Sequence, residues 1–404
     1  MKRGANYQWR SREGNTKAVP AIGALVCCFV LCGCKTAKQP ELGEPLAGLT
    51  PTQQAEFREG KAVFQREFTP ETGLGPLFNS VSCAECHEHP VIGGSGDEIE
   101  VHATRFVFPN SCDPLFDQGG PVIQQDATPL LRALGILKEQ VPSRATAQAH
   151  RSTPPLFGFG LVDAIPEKTV LSHEDPHDRD LNGISGRANR AIDGRAGRFG
   201  RKAAVATLFD FNAGAFPQEQ GVTTPLSPVE ETINGTPVPA GTDPAPDPEV
   251  TRVDIDKVTE FIRFLAPPPR VCFTNCHDRH LASHGEKLFK ALNCAVCHVP
   301  KMKTGPSDIR ALDRKNVHLY SDLLVHDMGP ALADICLGQA HPSEFRTELL
   351  MGLRFREHFL HDASARTVQE AIERHGGEAR RSRDNFKALS KSDKEALLKF
   401  LDSI

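Results

Sequence analysis

Residues 80–90 read Ser-Val-Ser-Cys-Ala-Glu-Cys-His-Glu-His-Pro, and residues 294–298 repeat the central pattern as Cys-Ala-Val-Cys-His. In each copy a Cys-x-x-Cys pair is followed at once by histidine. Three chemistries use such a pair: a redox dithiol, half of a zinc site, or two thioethers to a porphyrin whose iron takes the adjacent histidine. A thioredoxin-like dithiol closes a strand and opens a helix within a βαβ frame, and neither copy has that setting. Zinc pairs lie closer together in sequence and do not require the histidine. Two pentads roughly 210 residues apart therefore point to two covalently held haem c groups. Cys83, Cys86, Cys294 and Cys297 would be the attachment points, and His87 and His298 the proximal iron ligands. The dithiol and zinc readings stay as alternatives.

Such attachment belongs to an exported protein, and the N-terminus reads that way. Lys2, Arg3, Arg10, Arg12 and Lys17 precede an apolar run from Ala18 to Leu31, the layout of a signal peptide over residues 1–33. The run ends Leu31-Cys32-Gly33-Cys34, which resembles a bacterial lipobox with Cys34 as the lipidated residue. Two or more acyl chains give stable membrane anchoring. Lys35 after the acceptor points to the outer membrane, in the periplasm or cell envelope. Loss of the leader removes five basic residues and one acidic residue and takes the formal charge from −4 to −8. That surface does not suit nucleic acid, and it could steer a basic redox partner.

At 404 residues the chain has room for two or three domains. A tether over 34–49 leads into Thr50-Pro51, an N-cap and first-turn proline opening a helix with Phe57, Val63, Phe64 and Phe68 on its apolar side. Val253 to Leu265 reads as a second amphipathic helix, stopped by Pro267-Pro268-Pro269, so an N-terminal haem domain is expected over 50–269 and a C-terminal one over 270–404. Residues 222–250, rich in Pro, Thr and acidic side chains, read as an exposed insertion within the first. Further helices are expected at His284–Asn293, at Thr367–His375 and after a capping box at Ser392–Glu395. Val101–Phe108 and Ala204–Phe211 are the candidate short strands. The expected fold class is mainly α: two cytochrome c-like haem domains with long loops and a few short strands.

Several longer stretches now carry a resemblance. They are GLGPLFNSVSCAECH (73–87), RSTPPLFGFGLVDAIP (151–166), DLNGISGRAN (180–189), GRFGRKAAVATL (197–208), SDLLVHDMGPALAD (321–334) and FLHDASARTVQEAIERHGGEA (359–379). Through them the chain resembles the bacterial di-haem c-type oxidoreductases, once labelled thiol oxidoreductases for their CxxC pairs and related to di-haem cytochrome c peroxidases. The resemblance implies electron transfer and reduction of a small oxidant such as hydrogen peroxide, with electrons from a small periplasmic donor protein.

It also implies ligands. The offset at which the related peroxidases carry a sixth-ligand methionine falls on His375, with Met302, Met328 and Met351 as rivals. Their distal histidine on the first haem corresponds to His102, fifteen residues after His87, either a ligand or a plain surface histidine. Asp163 stands where the family usually has glutamate and is the candidate distal acid or base, or else a turn cap. Arg201 stands where the family often has tryptophan, and the one tryptophan, Trp9, lies in the leader.

Cys272-Phe-Thr-Asn-Cys276-His277 is an expanded CxxxCH, readable as a third haem site, a local disulfide or an unbridged pair. Cys112 and Cys336 are left as a candidate bridge between the domains. Asp178, Asp180 and Asn182 offer oxygens at positions 1, 3 and 5 of a loop with Gly183 at position 6, as a calcium loop does, but Asn189 fills position 12, where glutamate belongs. A solvated turn is the alternative.

Overall fold

The computed structural model describes residues 39–404; the leader and the lipidation candidate Cys34 lie outside them. Two helix pairs carry the architecture. The first begins where Thr50 caps Pro51–Phe64: its hydroxyl accepts from the Gln53 amide at 3.2 Å and the Gln53 side chain returns a bond to the Thr50 amide. That helix packs on Arg252–Phe264 through Phe57, Phe64 and Phe261, with ring centroids 4.9–5.1 Å apart. The second pair is Cys276–Ala291 against Lys391–Asp402. Both pairs cross at a glycine. A methyl on Gly60 would meet the Lys257 carbonyl at 2.1 Å, and one on Gly285 would meet the Ala396 carbonyl at 1.9 Å. Only a residue without Cβ lets these backbones approach so closely.

Among the described residues the chain leans helical, with twelve α-helices and ten short strands. The largest sheet is antiparallel. Ile99–Val107 pairs with Ala147–Ser152 on one side and with Ser111–Asp113 and Val122–Ile123 on the other. The strand expected at Val101–Phe108 is thus present. The one expected at Ala204–Phe211 is not: Thr207 caps a helix over Leu208–Ala215, because its hydroxyl accepts from the Asp210 amide. The last helix is capped by Ser390, two residues before the expected Ser392. The helix expected from His284 begins at Cys276, on an Asn275 cap.

The main apolar core runs from Leu46 through Phe261 to Met351, so it draws side chains from both sides of Pro267–Pro269. A second cluster joins Phe289, Tyr320, Phe386, Phe400 and Ile404. Within the tether stretch, Leu46 donates to the Phe264 carbonyl and Ala266 to Glu44, which pins residues 44–46 along the end of the Arg252–Phe264 helix. The 222–250 segment is buried at its ends, Val222 and Val250 being fully covered, and is largely open between. No helix of the described residues is long and apolar enough to cross a membrane.

Candidate functional site

Each CxxC forms a single helical turn, Cys83–Cys86 and Cys294–Cys297, that hands the chain to its histidine. At the first, Ser82 caps the turn and accepts from Glu85 N at 3.2 Å, while the Glu85 carboxylate accepts from Val81 N at 2.8 Å. All four cysteines are unbridged thiols. Burial pushes the Cys83 thiol up to about 12, and the nearby Glu219 carboxylate adds to the shift. Burial raises Cys86 further still and takes Cys294 to about 11. Dithiols that exchange disulfides work through thiolates held at low pKa, so these four lack that activation.

His87 places Nδ1 at 3.0 Å from the Gly94 carbonyl, His298 places it at 3.0 Å from Tyr320 and His375 at 2.7 Å from Ala371. A carbonyl can only accept, so in His298 and His375 Nδ1 carries the proton and the Nε2 lone pair is left for a ligand bond, whereas the His87 ring meets a second carbonyl, that of Pro154. Burial holds each of them below the ordinary histidine value, to about 4 for His298, where a charge on His375 would add to the cost. All three are therefore neutral at pH 7. Tyr320 reaches His298 from a left-handed backbone (φ 51°), an unusual conformation for a bulky residue. Its ring is locked edge-on against Phe289.

Cys294, Cys297, His298 and His375 line one cavity of about 230 Å³, walled by Leu350, Leu353, Phe359, Ile372, Leu397 and Leu401. For His298 and His375 no group among the described residues bonds Nε2. Met328 lines the same cavity, whereas Met302 and Met351 are buried in the main core. Neutral unbridged thiols, two neutral imidazoles and apolar walls suit a porphyrin attached at Cys294 and Cys297. The zinc alternative fits less well: Cys297 approaches Asp322 and His326, but Cys294 is not in that group. Asp322 and Glu378 each already bond the His326 ring at 2.8 Å.

The first centre lies apart from that cavity. Cys83, Cys86 and His87 do not line that cavity, although Pro154, which does, turns its carbonyl to His87. The Phe64 ring lies 6.0 Å from the His87 ring. His102 sits mid-strand, largely buried, with Nε2 3.0 Å from Glu100 Oε2. It is not a plain surface histidine, and this nitrogen is engaged by a carboxylate rather than free as in His298 and His375.

The structure bears on three further expectations. Asp163 matches its turn-cap alternative: its carboxylate accepts from Leu208 N at 3.2 Å at the start of the Leu208–Ala215 helix. Cys272 is disulfide-bonded and Cys276 is a free, exposed thiol at a helix start, so they form neither a local bridge nor a ready pair for a third porphyrin beside His277. In the calcium candidate, Asp178 accepts from Gly183 N, Asp180 from Asn182 and the Asn182 side chain from Ile184 N. The loop satisfies its own amides, the pattern of a solvated turn.

The charged wall of the cavity was not legible in the sequence. Arg201, Arg346 and Arg356 surround Glu348, at 3.1, 3.0 and 3.0 Å. Only Arg201 stood out beforehand, as a departure from the family's tryptophan. His326, buried between two carboxylates, lay inside the Ser321–Asp334 stretch with no periodicity to mark it.

Residues 137–404 match the family described as "Di-haem oxidoreductase, putative peroxidase", a span that contains Cys294, Cys297, His298 and His375 and begins after His87. No curated protein matches the chain. Among solved structures, hydrazine synthase of Kuenenia stuttgartiensis is 14% identical, with 97% of this chain and 100% of that chain covered and a TM-score of 0.42. The diheme peroxidase BthA of Burkholderia thailandensis is 16% identical, with 91% and 89% covered and a TM-score of 0.40. A MauG-like protein associated with microbial copper homeostasis is 15% identical, with 91% and 94% covered and a TM-score of 0.37. The family match spans well over half of the 404 residues and takes in the second CxxCH with its cavity, and the chain belongs to the di-haem oxidoreductase family.

Proposed function

We propose that the chain is an exported di-haem c-type cytochrome that accepts electrons from a small donor protein and reduces a small oxidant, hydrogen peroxide by preference. The observation that carries the reading is the second centre: neutral thiols at Cys294 and Cys297 beside His298 and His375, two neutral imidazoles with Nε2 unclaimed on one apolar cavity. In this scheme Cys83 and Cys86 would hold the other porphyrin, and His87 would ligate its iron. The haems, when bound, supply one-electron storage at two irons, and their two electrons with two protons convert H₂O₂ to two molecules of water.

The chain's own groups orient and protonate. The Gly94 and Tyr320 carbonyls fix the rings of His87 and His298 through Nδ1. Glu100 lies within electrostatic reach of His87 and shares a hydrogen bond with His102, so the Glu100–His102 pair, not Asp163, can hold the proton that a reduced oxygen takes up. The Leu-rich walls keep water from the second centre.

A second reading is a pure electron relay. It is favoured by His375 lining the same cavity as His298, so that both imidazoles could ligate the one iron. Export is supported by the Cys112–Cys336 disulfide, a bond of oxidising compartments. Lipidation at Cys34 would anchor the chain at the outer membrane, and Cys34→Ser should then release it from envelope membranes.

Expression with c-type maturation machinery, followed by intact mass and haem absorbance, tests the reading. Two haems in mass with a high-spin ferric signal are expected. Two low-spin haems would select the relay, and no covalent haem would overturn both.

A further inference from the structure

The cavity of the second centre is largely apolar, and one group of charged side chains on its lining does not balance. Glu348 Oε2 accepts from Arg201 at 3.1 Å and from Arg346 at 3.0 Å, and Oε1 accepts from Arg356 at 3.0 Å. All four side chains line the cavity, and the arginines are largely buried, at 13%, 3% and 12% exposure. Three guanidiniums against one carboxylate leave two positive charges without a counter-charge. Neighbouring acids are committed elsewhere: Asp334 to Arg151 and Lys202, Asp322 to His326. The Nε donors of Arg201 and Arg356 are buried without a partner. Uncompensated buried charge is costly, so two surplus cations on the lining of a largely apolar cavity call for an anion placed there.

We infer that Arg201, Arg346 and Arg356 form a carboxylate-binding wall that receives the propionate side chains of the porphyrin attached at Cys294 and Cys297. This rests on the haem reading above and deepens it by assigning what fixes the porphyrin's polar edge. The geometry has three parts. The attachment cysteines and the arginines line the same cavity. A porphyrin carries two carboxylates, matching the two surplus charges. Planar guanidiniums are the side chains suited to carboxylates in a low-dielectric wall. Glu348 then has a separate role: it draws the three cations together and sets their orientation before the ligand arrives.

The test is a spectroelectrochemical titration of the fully matured protein and of Arg356→Gln, Arg356→Lys and Glu348→Gln, with haem content by intact mass alongside. Loss of a cation near the iron stabilises the ferric state. Arg356→Gln should therefore lower the midpoint of the second centre by about tenfold in the reduction equilibrium, about 59 mV for one electron. Arg356→Lys should stay close to the unaltered protein. Glu348→Gln should shift the same centre in the opposite direction, a sign that simple loosening of the fold would not give. Two haems attached in every variant with unmoved potentials would overturn the inference and leave the haem reading intact, and so would a shift confined to the first centre. Absence of haem from the unaltered chain would overturn both.

Discussion

Cys112 is bonded through sulfur to Cys336, 224 positions along the chain. The bond ties the Ser111–Asp113 strand to the segment that follows His326, and Thr104 on the neighbouring strand donates to the Cys336 carbonyl at 3.1 Å. Closing so long a loop removes much chain entropy from the unfolded state. Cys112→Ser paired with Cys336→Ser should cost about 2–5 kcal/mol, read as a fall in the urea midpoint. A fall at least as large should follow reduction of the unaltered protein under conditions that leave thioethers intact, since reduction also opens the Cys272 disulfide.

The thiols of the two CxxC turns should be inert. Produced without haem attachment, the chain should label at Cys276 within minutes with a maleimide at pH 8, since that thiol is exposed. Cys83 and Cys294, at about 12 and about 11, should label only after denaturation. Rapid labelling of Cys83 and Cys86 in the folded chain would restore the thiol–disulfide exchange reading.

Asp163 and His102 separate the capping role from the proton role. Asp163→Asn should leave peroxide turnover within twofold and cost up to about 1 kcal/mol of stability, because its carboxylate serves Leu208 N. His102→Ala should lower turnover by roughly 10²-fold if the Glu100–His102 pair supplies the proton. Equal losses from both substitutions would count against that division.

The two CxxCH pentads, the cap at Thr50, the helix near Thr367–His375 and the Ile99–Val107 strand were all readable in the sequence, since each rests on local chemistry: a fixed spacing, a hydroxyl before a helix, a helical run ending at glycines, a β-rich run. Ala204–Phe211 misled because its apolar alternation is short and Thr207 stands ready to cap a helix. The arginine wall could not be read, since Arg201, Arg346, Glu348 and Arg356 meet only through the fold. Asp163 beside Ile165-Pro166 offered the same letters for a cap as for an acid, and the Leu208 amide that serves the cap comes near only through the fold.

Glu348 should make stability acid-sensitive. Burial works to raise its carboxyl, yet Arg201, Arg346 and Arg356 together hold it down to about 2 from an ordinary 4.5. A depressed folded value stabilises the protein fully above the unfolded value and ceases to do so as pH falls through the folded one. The window therefore lies between about pH 4.5 and pH 2, with about 3 kcal/mol at stake. Glu348→Gln should lower stability at neutral pH, because it leaves three buried cations together, and should flatten the acid limb of an unfolding-against-pH curve. An unchanged acid limb would show that other carboxylates govern it.

His375 is the residue on which the two functional readings divide. Its Nδ1 is spent on the Ala371 carbonyl at 2.7 Å and its ring is buried on the cavity of His298. As the second ligand of that iron, it should give a low-spin spectrum at the second centre. His375→Ala should then open a position and yield a high-spin signal, while His375→Met should raise the midpoint by on the order of 0.1 V, a fraction of the roughly 0.8 V that axial ligands command. Met328 lines the same cavity and is the one rival there among the described methionines. If His375→Ala leaves the spectrum unchanged and Met328→Leu alters it, the ligand is the thioether and the second centre runs at high potential. If His375→Ala alone alters it, the centre is bis-histidine, and a donor must reach it at the lower potential that two imidazoles impose.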